Sequence, residues 1–379
     1  MKQVVPTPAP SSAGAAQVDS HDIRERAARR IRGRRHLLAP ILIGILIALV
    51  IASAGVGAVP LSAGQVLTLL AEPLGIELPW AVSEQERAVF WVIRLPRIAL
   101  GALVGGGLAT AGAALQGLFR NPLADPGLIG VSAGASFAAA LVIVLGSALL
   151  GAFYTTEWYS IFALPIGAFI GGLLAVHLVF RLARSAHQPV LTTMLLAGIA
   201  INALAGAGTG FLTFIADDAA LRGIAFWSLG SLGGATWQTV AASAPFLLLS
   251  SLLLPRYAMP LNLVLLGEAE AAHLGVDVEK VRRRVILLAA LGVGAAVAFT
   301  GVIGFVGLIV PHLVRLIAGP DHRALIPLSG LLGAALLVGA DLIARTVVAP
   351  AELPIGVVTA AVGAPFFLWL LVNRKVDVA

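Results

Sequence analysis

The chain has 379 residues, 59% of them hydrophobic and only 12% charged, and a mean hydropathy of +0.97. One water-soluble core does not hide that much apolar surface, so a soluble globular domain is excluded and lipid is the expected solvent. The net charge of +6 comes from cations at the ends of apolar runs rather than from one basic patch, which argues against a nucleic-acid partner, and zero Cys excludes disulfides and thiolate metal sites.

Residues 1–36 are Pro/Ala/Ser-rich and then basic, ending in Arg30, Arg32, Arg34 and Arg35 just before the first apolar run. They are expected to form a disordered basic cytoplasmic N-terminus. The run Leu37–Val59 exceeds the roughly 7 to 15 residues of a signal-peptide core, so it reads as an uncleaved first helix. From there the apolar runs predict one transmembrane domain over 37–379. Spans fall at 37–59, 94–116, 128–151, 160–182, 190–214, 237–254, 285–303, 304–318, 326–347 and 354–372. The fold class is therefore all-α, a polytopic membrane protein of about ten transmembrane helices.

With the basic N-terminus inside, the even-numbered turns are cytoplasmic, and they collect Arg120, Arg181, Arg184, Arg256, Lys280, Arg282, Arg283, Arg284, Arg323, Arg374 and Lys375. Outside lie Arg87, Arg94, Arg97, Arg222 and Arg345. Between the first two spans, Ser62 is placed to cap a short interfacial helix running through Leu70. Small residues at Gly101, Gly105, Ala109 and Gly112 share one face of the second span, a spacing that lets helices approach closely in lipid. Gly and Pro from Gly301 to Pro311 predict a short or broken pair of helices instead of two straight spans.

Arg94-Leu95-Pro96-Arg97 at the outer end of the second span reads either as interfacial anchors that snorkel or as a docking point for an acidic partner. Gln116 to Gly127, with Asn121-Pro122 and Asp125-Pro126, reads as a tight turn. Asp341 is a carboxylate placed well inside a span and needs a partner; Arg345, four residues on, is the nearest in sequence, giving an expected intramembrane ion pair. A lone intramembrane acid also fits a proton relay, the mark of a secondary transporter.

The polar stretch 255–284 is an inside turn. Gly267-Glu-Ala-Glu-Ala-Ala-His-Leu-Gly275 predicts a short helix ending at Gly275, with Asp277 capping a second short helix. Leu265, Ala269 and Ala272 share a face suited to a groove on another protein. The basic run Lys280–Arg284 also suits lipid headgroups. His273, His312 and His322 lack paired spacing and are not assigned as ligands, so no metal site is expected. There is no Walker-type phosphate loop, so ATP hydrolysis is not expected in this chain.

Four motifs in one order resemble the permeases of iron-chelate and vitamin B12 importers, the FecCD family. They are Arg94-Leu-Pro-Arg97, Asn121-Pro-Leu-Ala-Asp-Pro-Gly-Leu-Ile-Gly130, Gly304-Phe-Val-Gly-Leu-Ile-Val-Pro-His-Leu-Val-Arg315, and Glu352-Leu-Pro-Ile-Gly-Val-Val-Thr359 with Gly363-Ala-Pro365. The resemblance implies a BtuC-like type II ABC importer permease of ten helices that works as a homodimer around a central pathway. It implies a cytoplasmic ABC ATPase dimer that binds ATP, an extracytoplasmic substrate-binding protein, and a place in the cytoplasmic (inner) membrane with both termini inside.

By the same resemblance, Arg94, Arg97 and Arg345 pair with glutamates of the binding protein. Gly267, Glu268, Ala271, Ala272, Leu274 and Gly275, in the coupling loop 255–284, meet the ATPase. The chain itself is expected to hold no cofactor and no catalytic residue. Leu115-Gln-Gly-Leu-Phe-Arg120 and Ala197-Gly-Ile-Ala-Ile-Asn-Ala203 look most like the haem-uptake permeases. Ferric siderophore or cobalamin is the alternative cargo, and a proton-coupled secondary transporter is the alternative of a different class.

Overall fold

The computed structural model describes residues 37–150, 159–185 and 190–373; the N-terminal stretch 1–36 and the cations Arg374 and Lys375 lie outside the described residues. Among the described residues there is no strand. Seven of the described helices are long and apolar enough to cross a membrane, and shorter apolar helices stand at the other three predicted spans.

Helix α1 covers Leu37–Gly55 and α2 covers Ala63–Ala71. Ser62 caps α2 as its sequence suggests: its hydroxyl accepts from the Gln65 N–H while the Gln65 side chain takes the Ser62 N–H at 2.9 Å, so two orphan donors are satisfied at once. Helix α3 is longer than its apolar run implied. It starts at Glu84, capped by Ser83, and continues to Leu118. Its Pro96 has no N–H for the carbonyl one turn back, and the helix widens into a π segment at Val89–Arg94 just before it.

The next helices are α4 (Val131–Leu150), α5 (Leu164–Ser185) and α6 (Val190–Ile215). The turn into α4 needs no ligand: Asn121 accepts from the Leu123 N–H at 2.9 Å, and Asp125 from the Gly127 N–H at 2.7 Å. Burial pushes the Asp125 carboxyl above the usual carboxylate range. A short helix that periodicity did not suggest, α7 (Asp218–Leu229), is capped by Asp217. It precedes α8 (Trp237–Leu253).

Helices α9 (Ala258–Val264) and α10 (Glu268–His273) are short. Then α11 runs Val278–Thr300, and the chain breaks over 301–305 before the 13-residue α12 (Val306–Ala318). The broken pair predicted around Gly301–Pro311 is thus present. Helices α13 (His322–Ala344) and α14 (Ile355–Asn373) are the last of the described elements.

Most of α3 and α11 is buried, whereas α1, α5 and α6 present apolar side chains such as Ile47, Ile170 and Ile199 outward. That inversion of a soluble protein's surface is what a lipid-facing ring requires. At the centre, α3 meets α13 and α12 at backbone distance. A Cβ on Gly105 would overlap the Gly333 carbonyl oxygen, and one on Gly112 would overlap that of Gly307. The small-residue face of α3 is therefore a packing seam.

Candidate functional site

Helix α13, 23 residues long, spans about 34 Å and separates two polar ends of the fold. Its C-terminal end carries a pocket of arginines and carboxylates. Its N-terminal end adjoins the loop 255–284.

In the arginine pocket, Arg97 stands at the centre. Its Nε and Nη2 donate to Asp341 at 2.9–3.0 Å, both carboxylate oxygens being used, and its Nη1 donates to Glu352 at 2.9 Å. Asp341 is 4% exposed and Glu352 46%. The partner inferred for Asp341 from spacing, Arg345, is present but secondary: its Nε lies 3.6 Å away, and its Nη atoms donate to Ser53 Oγ at 2.7 Å, to the Ser53 carbonyl and to the Val56 carbonyl at 3.0 Å. An i,i+4 neighbour on the last turn of a helix aims past the carboxylate, whereas the planar fork of Arg97 meets it face on.

Arg94 is also buried, not snorkelling, and donates to the carbonyls of Ala54, Gly55 and Val59. It closes the end of α1 onto α3. These contacts border an open cavity of about 750 Å³ lined by Arg94, Arg97, Arg345, Glu352, Val59 and Ile93. Three guanidinium groups against two carboxylates leave the pocket net positive. Because both oxygens of Asp341 are taken up by a permanently charged arginine, an isolated proton relay is not what the geometry offers. Glu352 and the Ala54–Val59 carbonyls were missed by sequence reasoning; Glu352 was legible only as part of a motif.

At the other end, Gly267 (φ 135°) and Gly275 (φ 87°) bound α10 in backbone conformations that L side chains rarely adopt. Asp277 accepts from the Lys280 N–H at 3.0 Å, as its capping position suggested. Hydrogen bonds from Lys280 hold the Asp277 carboxyl below its usual range. The second short helix expected after Gly275 is instead the first turn of the long α11, because Val278 to Arg284 continue without a break into the apolar run.

Arg282 is buried and clamps the loop: Nη2 donates to both oxygens of Glu268 at 2.8 Å and Nη1 to Glu279 at 2.9 Å. Glu268 is thereby committed to the clamp. Ala271 faces inward and is fully buried, whereas Leu265, Ala269, Ala272, Leu274 and Gly275 face out. The six residues expected to meet an ATPase thus divide: Ala272, Leu274 and Gly275 are exposed, Gly267 and Glu268 are half-buried, and Ala271 lies behind them. Asn262 on α9 donates to Asp321 at 2.8 Å and accepts from the His322 N–H at 3.0 Å, joining the loop to the start of α13. Deeper in, Arg315 donates to Gln116 at 2.8 Å, and Gln116 donates to the Leu308 carbonyl at 3.2 Å, tying α12 to α3.

Comparison with known proteins agrees with the fold. The model of the FecCD transport family matches residues 45–373. The hemin transport system permease protein HmuU of Yersinia pestis is 43% identical over 346 residues, covering 91% of this chain and 98% of that protein. The cobalamin import system permease protein BtuC of Halobacterium salinarum is 40% identical, covering 88% of this chain and 95% of that protein. A solved structure described as an inward-facing conformation of a metal-chelate type ABC transporter superposes with a TM-score of 0.76 at 33% identity, covering 88% of this chain and 99% of that one.

Proposed function

Since this chain belongs to the FecCD transport family, as a multi-pass membrane permease of an ABC importer whose ATPase is a separate subunit, we propose that the cargo it carries is haem. The observation behind this reading is the 43% identity to a hemin permease across nearly the whole length of both proteins. The chemistry of α6 is compatible with it. That helix has no charged residue from Val190 to Ile215 and turns Ala200, Ala203, Gly206, Ala207 and Gly210 outward. The positions a Cβ would take at Gly206 and Gly210 meet nothing within 4 Å. An uncharged, apolar face, with Leu196, Ile199, Leu204 and Phe211 exposed beside these small residues, is compatible with a bulky, largely apolar macrocycle.

In this reading two copies of the chain sit in the cytoplasmic membrane with both termini inside. The loop 255–284 faces the ATPase dimer, presenting Ala272, Leu274 and Gly275, while the Glu268–Arg282 clamp passes movement of α10 into α11. The arginine pocket faces the extracytoplasmic binding protein and receives its carboxylates at Arg94, Arg97 and Arg345. Uptake of labelled haemin into proteoliposomes holding the permease, its ATPase and its binding protein tests the cargo. ATP-dependent haemin accumulation is expected. Ferric-siderophore or cobalamin accumulation without haemin would overturn it.

A further inference from the structure

The arginine pocket already contains the kind of group it is proposed to receive. Arg97 Nη1 donates to Glu352 at 2.9 Å, the geometry an incoming carboxylate would adopt on the same nitrogen. The two resident carboxylates differ in how firmly they are held. Asp341 is 4% exposed and bound to Arg97 through both oxygens, so it is fixed in the interior. Glu352 is 46% exposed, meets Arg97 through one oxygen, and lines the open cavity.

The backbone around Glu352 does not depend on that side-chain contact. The Leu353 N–H donates to the Ala344 carbonyl at 2.9 Å and the Ile355 N–H to the Gly230 carbonyl at 3.1 Å, so the loop between α13 and α14 is pinned on both sides. Half-exposed and held by one hydrogen bond, the Glu352 side chain borders open cavity space into which it has room to turn without breaking these backbone bonds.

We propose that Glu352 is an internal competitor for the partner's carboxylate: it occupies Arg97 Nη1 in the undocked permease and is displaced when an acidic binding protein docks. This rests on the reading of the arginine pocket as the docking surface. The competitor keeps the pocket's net charge low between encounters, which weakens adventitious anions and favours a partner that brings several carboxylates in register. It lowers affinity for each single acid and sharpens discrimination among partners.

The test measures binding of the purified cognate binding protein to the dimeric permease–ATPase complex in nanodiscs, at low and moderate salt. Four proteins are compared: wild type, Glu352→Gln, Glu72→Gln and Arg94→Gln. Glu352→Gln is isosteric and half-exposed, and Glu72→Gln removes the same charge from a residue that pairs with Arg87 rather than Arg97. Displacement of a half-exposed pair predicts about threefold to fivefold tighter docking for Glu352→Gln, and less than half that change in log Kd for Glu72→Gln. If Arg94→Gln weakens docking while Glu352→Gln matches Glu72→Gln or wild type, the competitor is refuted and the docking surface stands. If neither Arg94→Gln nor Glu352→Gln changes affinity, the docking surface itself is refuted, and the competitor with it.

Discussion

Arg97 and Asp341, 244 residues apart in the chain, meet at 2.9 Å in the interior and lock the middle of α3, just after its π segment, to the last turn of α13. The pair sits where the two helices leave their glycine seam, so packing below and an ion pair above fix the same crossing. Glu352 extends the lock to the loop that leads into α14.

The lock sets a stability prediction. Both side chains are nearly inaccessible, so Arg97→Ala leaves Asp341 only the more distant Arg345 at 3.6 Å, and Asp341→Ala leaves Arg97 only the half-exposed Glu352; each is expected to cost up to about 3–5 kcal/mol. Replacing both, as Arg97→Ala with Asp341→Ala, removes the charge from each side and is expected to cost far less than the two single losses added together. Thermal unfolding of the purified protein in detergent, run as a double-mutant cycle, reads the difference. Additive losses would show that the two residues do not act as a pair.

Docking should depend unequally on the arginines. Arg94 spends its donors on neutral carbonyls, and among the described residues no carboxylate lies within ion-pair distance of it, whereas Arg97 faces two. Its charge is therefore the less compensated one seen by an approaching acidic protein. Arg94→Gln is expected to slow association at low salt by about threefold and to flatten its salt dependence, with a smaller effect from Arg97→Gln. Stopped-flow association across ionic strength checks the ranking, and the reverse order would contradict it.

Much of the architecture was legible because its causes are local. Apolar length marked the spans, Ser62 and Asp277 marked helix starts, and Gly267 and Gly275 marked the limits of α10, each through chemistry confined to a few neighbouring residues. The site was less legible. Spacing along one helix nominated Arg345 for Asp341, since an i,i+4 neighbour is the only partner a sequence displays, while the stronger partner came from another helix. The early start of α3 was hidden because Glu84, Glu86 and Arg87 interrupt the apolar run; they are accommodated by a Ser83–Glu86 capping box and an Arg87–Glu72 ion pair at 3.0 Å. The burial of Ala271 depends on how α10 sits against α11, which no composition reveals.

The glycine seam predicts a contrast between two substitutions of similar kind. Gly105→Val would drive side-chain atoms into the Gly333 backbone, which does not yield as a flexible side chain would, and is expected to cost about 1–3 kcal/mol or more. Gly44→Ala on α1 meets nothing within 4 Å and is expected to be neutral or stabilising by up to about 1 kcal/mol through helix propensity. Unfolding temperatures of the two variants in one detergent test this, and equal losses would mean the seam is not a close contact.

The loop 255–284 allows its structural and coupling roles to be separated at adjacent positions. Ala271 is buried against the body of the protein, and Ala272 beside it is exposed. A bulky residue at 271 has no room, so Ala271→Leu is expected to lower stability and yield by overpacking, about 1–3 kcal/mol. Ala272→Trp projects outward, so the permease should fold and unfold as wild type does. If α10 presses into a groove on the ATPase, the same indole obstructs that groove. Co-purification of the ATPase, its transport-linked ATP hydrolysis, or both should then fall at least tenfold, near 1.4 kcal/mol of lost association. Normal unfolding with unimpaired ATPase association and transport in Ala272→Trp would remove α10 from the interface. The cation-rich first two turns of α11, with Lys280, Arg283 and Arg284 exposed, would then be the next surface to examine by the same measurement.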